Sequence, residues 1–323
     1  MAKQKVVLTR RWPKPCEERA SQLFDATLNE ADKPMTVAEL QEAMRSADAL
    51  FPTVTDKITD EIMGVSGRRV KLIGNFGVGF NNIDVEAAKK HGLVVTNTPG
   101  VLTDCTADIA MTLLLMAARR AGEGERHVRN KEWTGWRPTH FLSTKVTGKT
   151  LGVLGFGRIG RAVAHRAHHG FGMKIIFHDP YPPPESEIKA LDARQCGSVE
   201  EVLREADFVS LHCPATPETR HLMNAKTLGQ MKKDAILINT ARGDVVDEEA
   251  LVKALKDGTI KAAGLDVFER EPNVTEELLA MDNVVLLPHL GSATTETRVA
   301  MGMTVLDNAE AFFAGKKPPN RVA

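Results

Sequence analysis

An excess of charge of either sign is missing from this chain. Lysine plus arginine number 42, aspartate plus glutamate number 42, and the formal net charge is zero. Nothing forms a basic stripe of the kind that neutralises a phosphate backbone, which argues against nucleic acid as a partner. Long apolar runs are missing too. The amino-terminal MAKQKVVLTRRW has no apolar core after its charges and makes a poor secretory signal. The longest helical apolar stretch, IAMTLLLMAA (109–118), is too short to cross a bilayer and runs into Arg119 and Arg120. Cysteine is sparse. Cys16, Cys105, Cys196 and Cys213 are scattered, with no CxxC pair and no histidine at metal spacing. That pattern argues against a structural zinc site and a disulfide framework, and it reads as buried free thiols in a reducing, cytoplasmic compartment. Internal repeats, low-complexity tracts and Ser/Gly linkers are absent as well.

What is present is an alternation. The 323 residues suffice for two ordinary domains. Short apolar runs bounded by turn residues read as strands: 5–9, 49–52, 70–76 and 93–97, then 150–156, 174–179, 208–213, 235–240, 262–268 and 284–289. Helix-period stretches separate most of them, among them 15–31, 36–46, 158–169, 198–205 and 247–256. Strands alternating with helices predict parallel sheets covered on both faces, in two series. The expected fold is therefore α/β, with two Rossmann-like or flavodoxin-like domains and a cleft between them. The helical stretch 293–315 is surplus to the second series and is expected to return to the first. The first domain would then be discontinuous, residues 1–103 plus 290–323, and the second would span 104–289. A polar, Trp-containing segment within 120–150 has no place in either sheet and reads as a protruding dimerisation arm.

The second series opens with LGVLGFGRIG. Gly155, Gly157 and Gly160 fit G-x-G-x-x-G, a weak string alone, but here it follows a strand and opens a helix. The first glycine allows the tight turn, the second lets the backbone approach a pyrophosphate, and the third lets helix and strand pack closely. The helix N-terminus then offers free N–H groups and a partial positive charge. Asp179 ends the next strand, where an acceptor for a ribose 2′-hydroxyl belongs, and its carboxylate repels a 2′-phosphate. No arginine follows within 180–187, so NAD(H) is expected over NADP(H). The alternative is an aspartate that caps the turn before Pro180.

Three later residues sit at or just beyond predicted strand ends: Arg242 in INTARGD, Glu271 in LDVFEREP and His289 in VVLLPHLGS. Ligands of open α/β sheets bind outside the carboxyl ends of the strands. An arginine can fix a carboxylate and polarise the neighbouring carbonyl. A histidine can protonate the carbonyl oxygen, and a carboxylate beside it holds the ring and favours its charged form. Taken singly, each has a structural alternative: a salt bridge, a solvated acidic loop, a turn histidine.

The stretches GFGRIG, INTARGDVVDEEALVKAL, AGLDVFEREP and LLPHLGSAT, in that order, resemble the NAD-dependent D-isomer-specific 2-hydroxyacid dehydrogenases, along essentially the whole chain. Within that family, residues 75–100 and WTGWRP (133–138) are most similar to the glyoxylate and hydroxypyruvate reductases. The resemblance implies reduction of small 2-keto acids by hydride transfer, with His289 as proton donor, Glu271 as its partner and Arg242 on the substrate carboxylate. It implies that Val78 and Gly79 offer N–H groups to that carboxylate and that Arg158 and Ile159 meet the pyrophosphate. Asp179 would meet the adenosine ribose, and Thr106, Cys213, Ala241 and Asp266 would line the cofactor. It implies a homodimer in which Trp136 either reaches the partner's active site or is buried at the interface. Phe80 and Asn81 depart from many relatives in a loop that borders the substrate, which leaves a bulkier keto acid or lactate as an alternative substrate. A dinucleotide-sensing interaction module of the co-repressor type is the reading from another class. With its end at Ala323, the chain is expected to lack the additional regulatory domain of long phosphoglycerate dehydrogenases, which argues against a serine-pathway role.

Overall fold

In a computed structural model, which describes residues 3–323, the chain divides into two compact units. One comprises the residues up to Leu102 together with Ala293–Ala323, and the other comprises Thr103–Ser292.

The first unit holds β1 (Lys5–Leu8), β2 (Asp25–Thr27), β3 (Ala49–Phe51), β4 (Leu72–Gly74) and β5 (Val94–Thr96) in the order β2-β1-β3-β4-β5. Every pairing is parallel. β3 and β4 are buried at every position, as strands with both faces covered must be. The covering helices are α1 (Lys14–Leu23), α2 (Val37–Ser46), α3 (Asp60–Met63) and α4 (Val85–Lys90), joined by the carboxyl-terminal helix, which therefore does return to this unit. Thr36 and Glu39 close a capping box at the start of α2, and Asp84 caps α4.

The sequence-based helix over 15–31 is too long. Helix α1 stops at Leu23, and β2 takes the following residues. The reason is a change of period. Phe24, Ala26 and Leu28 pack one residue in two against the cluster around Phe51, a strand spacing that a helix would scatter around its circumference. The Lys3 ammonium seals the helix end by donating to the carbonyls of Ser21 and Gln22.

The second unit begins with α5 (Thr103–Arg119) and α6 (Ala121–Arg129). Its sheet follows: β6 (Thr150–Leu154), β7 (Lys174–His178), β8 (Ala193–Gln195), β9 (Phe208–Leu211), β10 (Ile236–Asn239), β11 (Ala262–Leu265) and β12 (Val284–Leu286). The order is β12-β11-β10-β9-β6-β7-β8, all parallel. Between them lie α7 (Arg158–Phe171), α8 (Glu185–Lys189), α9 (Val199–Glu205), α10 (Ala225–Leu228), α11 (Glu248–Lys256) and α12 (Glu276–Leu279); α13 (Thr295–Phe313) is the helix that returns to the first unit. Strand β8 was not legible as a strand: its ARQ is half-exposed at the sheet edge and carries no apolar run. Successive strands are added outward in opposite senses from β6 and β9, which sets a switch point at the carboxyl ends of these two strands.

Residues 130–149 form no helix or strand. Helix α6 buries no residue, and Trp133 and Trp136 are 55% and 82% exposed. All four cysteines are free, as their spacing implies, but only Cys16 and Cys196 are buried; Cys105 and Cys213 are half-buried. Cys105 lies in the first turn of α5, and Cys213 packs at the margin of the core cluster around Leu211 and Ala241. Among the described residues no helix is long and apolar enough to cross a membrane, and no group of three or more His, Cys, Asp or Glu side chains could hold a metal ion.

Candidate active site

The glycine-rich turn lies at the switch point. Gly155 follows β6 with φ +92°, and a Cβ there would stand 2.5 Å from the Cys213 nitrogen and 2.6 Å from the His212 carbonyl carbon. Only glycine satisfies both the backbone angle and the contact with the segment leaving β9. Gly160, inside α7, lies against the turn itself, where a Cβ would fall 2.2 Å from the Gly155 oxygen. At Gly157 a Cβ would meet nothing within 4 Å, so the space in front of the α7 N-terminus is open. No side chain caps that terminus. The N–H groups around Arg158 and Ile159 are therefore left for a ligand.

Asp179 follows β7, and its carboxylate accepts from the Phe156 N–H at 2.6 Å and the Tyr181 N–H at 2.8 Å. It thus ties the glycine turn to the end of β7 and also fastens the turn before Pro180. An ionised carboxylate has about four acceptor directions, so these two bonds leave capacity for a sugar hydroxyl. Cys213 lies near both Asp179 and Asp244, and burial pushes its thiol up to about 11, so it stays protonated and inert near neutral pH. Open space over Gly157, uncapped N–H groups and a carboxylate with spare lone pairs fit a dinucleotide.

Beyond the glycine turn, the carboxyl ends of β10, β11 and β12 bring Arg242, Asp266, Glu271 and His289 into one neighbourhood. Asn239, the last residue of β10, shapes the first of these segments. Its side chain accepts from the Ala241 N–H at 3.0 Å and donates to the Arg242 carbonyl at 2.9 Å. Arg242 then precedes a single 3₁₀ turn, Gly243–Val245, and its guanidinium donates to the Ala241 carbonyl at 2.6 Å. Burial draws this guanidinium below its ordinary value, against the charges of Glu271 and Asp244. It nevertheless stays cationic, because an arginine starts so far above neutrality.

Asp266 follows β11 and is 1% exposed. Its two carboxylate oxygens accept from the Leu290 N–H at 2.6 Å and the Gly291 N–H at 2.8 Å, while its carbonyl accepts from the His289 N–H at 2.9 Å. Burial raises the Asp266 carboxyl, and the two amides and His289 pull the other way without cancelling it. Thr106 adds a bond from its hydroxyl to the Gly291 carbonyl at 3.0 Å. These contacts hold His289 at φ +56°, a left-handed backbone that an L side chain seldom adopts. Such an angle persists only where the surroundings enforce it.

Glu271 Oε2 stands 2.9 Å from His289 Nδ1, and its Oε1 accepts from the Phe268 N–H at 3.1 Å. Burial alone would raise this carboxyl. The His289 hydrogen bond and charge, the Phe268 amide and the Arg242 charge outweigh burial, and the net position is below the usual carboxylate range. A carboxylate only accepts, so Nδ1 carries the hydrogen and Nε2 is the atom left to exchange a proton. The ring, its tautomer and its carboxylate are thus fixed together.

Val78 and Gly79 belong to the first unit and lie in a loop after β4. Its carbonyls are drawn inward: Asn97 donates to the Val78 oxygen at 2.8 Å and Asn75 to the Gly79 oxygen at 2.9 Å. Among the described residues the Val78 and Gly79 N–H groups find no acceptor in the protein. Phe80 follows, 38% exposed. Asn75 and Asn239, which set the two loops, were not singled out from the sequence. The available signal was a lone asparagine at the end of each apolar strand, where a side-chain amide can close a turn on its own backbone.

Residues 111–291 match the model of the D-isomer-specific 2-hydroxyacid dehydrogenase NAD-binding domain. The glyoxylate reductase of Thermococcus litoralis is 48% identical over 324 residues, covering 99% of this chain and 97% of that protein. Two solved structures superpose over essentially the whole chain. The glyoxylate reductase of Paecilomyes thermophila has a TM-score of 0.87 at 32% identity, covering 100% of this chain and 99% of the other. The NADPH-dependent glyoxylate/hydroxypyruvate reductase of Sinorhizobium meliloti has a TM-score of 0.89 at 35% identity, covering 100% and 97%. With the glycine turn at the switch point and the arginine, carboxylate and imidazole at the neighbouring strand ends, this chain belongs to the D-isomer-specific 2-hydroxyacid dehydrogenases and is an oxidoreductase with a nicotinamide-dinucleotide-binding domain.

Proposed function

We propose that the protein reduces glyoxylate and hydroxypyruvate to the corresponding 2-hydroxy acids, with NADH preferred over NADPH. The observation that carries this reading is the His289–Glu271 pair, 2.9 Å between Nδ1 and Oε2, at strand ends that also present Arg242. A bound nicotinamide supplies the hydride. Arg242 binds the substrate carboxylate and polarises the adjacent keto oxygen. His289, protonated at Nε2, gives that proton to the oxygen as the carbonyl carbon is reduced, and Glu271 balances the charge on the ring. Val78 and Gly79 give N–H groups to the carboxylate. Arg158 and Ile159 hold the pyrophosphate, Asp179 the adenosine ribose, and Thr106, Cys213, Ala241 and Asp266 line the cofactor.

The preference for NADH rests on Asp179, whose charge disfavours a 2′-phosphate, and on the absence of arginine within 180–187. The NADPH-dependent relative makes this the point to test. The exposed arm with Trp133 and Trp136 supports a homodimer, in which Trp136 either reaches the partner's active site or is buried against the partner. The deciding experiment is a matrix of NADH and NADPH against glyoxylate, hydroxypyruvate and pyruvate, followed at the nicotinamide absorbance. Fastest turnover with NADH and glyoxylate or hydroxypyruvate is expected. Pyruvate as the best substrate would replace the substrate assignment, and equal efficiency with NADPH would remove the cofactor preference. Gel filtration should return a dimer.

A further inference from the structure

A buried carboxylate outside the proposed acid–base pair is left without a role by the mechanism. Glu248 is the first residue of α11, just after the Asp247 side chain that caps the helix at the Ala250 N–H, and it is 5% exposed. A buried carboxylate is costly unless its oxygens are hydrogen-bonded. Both are. Oε1 accepts from the Glu269 N–H at 2.7 Å, and Oε2 accepts from the Thr275 hydroxyl. Placement at a helix N-terminus adds favourable partial charge.

The two partners are informative. Glu269 and Thr275 flank the loop that carries Glu271, so one side chain grips the loop at both ends. Neighbouring amides then divide their duties: the Phe268 N–H binds Glu271 itself, and the Glu269 N–H binds Glu248. The same peptide is pressed against the segment of Arg242. A Cβ on Gly243 would fall 1.9 Å from the Phe268 carbonyl carbon and 2.3 Å from the Glu269 nitrogen. The turn after Arg242, the start of α11 and the Glu271 loop therefore form one packed unit, and Glu248 is its internal tie.

We propose that Glu248 is a positioning residue for catalysis: by bonding both ends of the 269–275 loop, it sets the reach of Glu271 to His289. This rests on the reading of His289 as proton donor with Glu271 as its partner. Glu248 touches neither substrate nor cofactor on this reading. It acts through Glu271, whose surroundings include His289, Asp266 and the Arg242 guanidinium. Glu269, between the two, also faces His221 and Arg220.

The test compares E248A, E248Q and T275V with the parent protein. The first readout needs no catalysis: the titration of the Glu271 carboxyl by carbon-13 NMR in the protein without cofactor, the signal being assigned by its loss in E271Q. The second is the pH profile of kcat and KM for glyoxylate. Loosening the loop weakens the His289 contact that holds the Glu271 carboxyl low. E248A should thus raise that titration by about one pH unit, the size of losing a close opposite charge. It should lower kcat by about tenfold to a hundredfold, as small misplacements of reacting groups do, with KM for NADH little changed. T275V, which removes one bond and keeps the side-chain volume, should move both in the same direction by less, and it carries the test if E248A does not fold. E248Q should recover most of the loss, since its oxygen accepts from the Glu269 N–H and its amide donates to the rotated Thr275 hydroxyl. A Glu271 titration and kcat at parental values in E248A or T275V, with only the melting temperature lowered, would overturn the proposal. Failure of the underlying reading looks different: H289N with parental turnover removes the proton donor, while the Glu271 titration still reports whether Glu248 sets that carboxyl.

Discussion

Two imidazole–carboxylate pairs draw their carboxylates from the same loop of this protein, with the same separation, and only one is assigned to chemistry. His289 meets Glu271 at 2.9 Å, and His221 meets Glu269 at 2.9 Å. Distance therefore does not separate them; their surroundings do. Both histidines also adopt a left-handed backbone, His289 at φ +56° and His221 at φ +49°, so the backbone does not separate them either. Glu271, however, has its second oxygen fixed by the Phe268 amide and the Arg242 charge beside it. Glu269 instead shares the oxygen that meets His221 with Arg220, a guanidinium 60% exposed to solvent. The first pair closes a group of charges at the ends of adjacent strands. The second fastens the 269–275 loop to the segment before α10. Here a histidine beside a carboxylate becomes a candidate acid when a buried guanidinium suited to a substrate carboxylate accompanies it.

Substitutions at the first pair should produce the largest effects. His289→Asn should lower kcat for glyoxylate reduction by about a hundredfold to ten-thousandfold, the range of a lost general acid, and leave NADH affinity near the parental value. Fluorescence titration with NADH beside steady-state kinetics checks both, and unchanged turnover removes His289 from the mechanism. Arg242→Ala comes next. Losing charge-assisted bonds to a carboxylate, each worth about 1.5–3 kcal/mol, should cut kcat/KM by about a hundredfold, mainly through KM. Parental keto-acid kinetics in that variant would exclude Arg242 as the carboxylate site.

Most of this site could be read from the sequence because each residue sits where an apolar run ends. The glycine turn after β6, Arg242 after β10 and His289 after β12 are marked by short buried strands that stop abruptly. What could not be read depends on contacts between segments far apart in the chain. Glu248 looks like an ordinary first-turn acid of a helix, and nothing nearby announces that it is buried against Glu269 and Thr275. Asn239 and Asn75 look like strand-end polar residues until their amides are seen closing loops on their own carbonyls. Helix α1 was overextended for the opposite reason: residues 24–28 have enough apolar content for either period, and only pairing with β1 selects the strand. The exposed arm was legible as something outside both sheets, because its sequence is polar and offers no apolar run of strand type.

Glu271→Gln sharpens the contrast at an intermediate scale. The Glu271 carboxyl is held below the usual range, so its pairing contributes stability above the unfolded value of about 4.3 and loses it as pH falls through the lower folded value. Any acid limb of kcat/KM set by this group should then lie below pH ~4.3 in the parent. Gln cannot titrate, so the variant should lose that limb while turnover falls by about tenfold, the low end of what orienting a catalytic acid contributes. A limb that survives in Glu271→Gln belongs to another group.

His221→Asn should do the least, and it is the sharpest test of the comparison. The removed bond joins a histidine side chain 33% exposed to a glutamate side chain 19% exposed, which also lies 3.7 Å from Arg220. Partly exposed pairs of this kind contribute about 0–1 kcal/mol, so the melting temperature should shift only slightly. Turnover should stay within about twofold, because the Glu269 backbone amide, not its side chain, is what Glu248 binds, and that bond survives the substitution. If His221→Asn instead lowers kcat as much as His289→Asn does, the two pairs are energetically one unit. Proton exchange would then have to be assigned to the coupled loop as a whole rather than to His289.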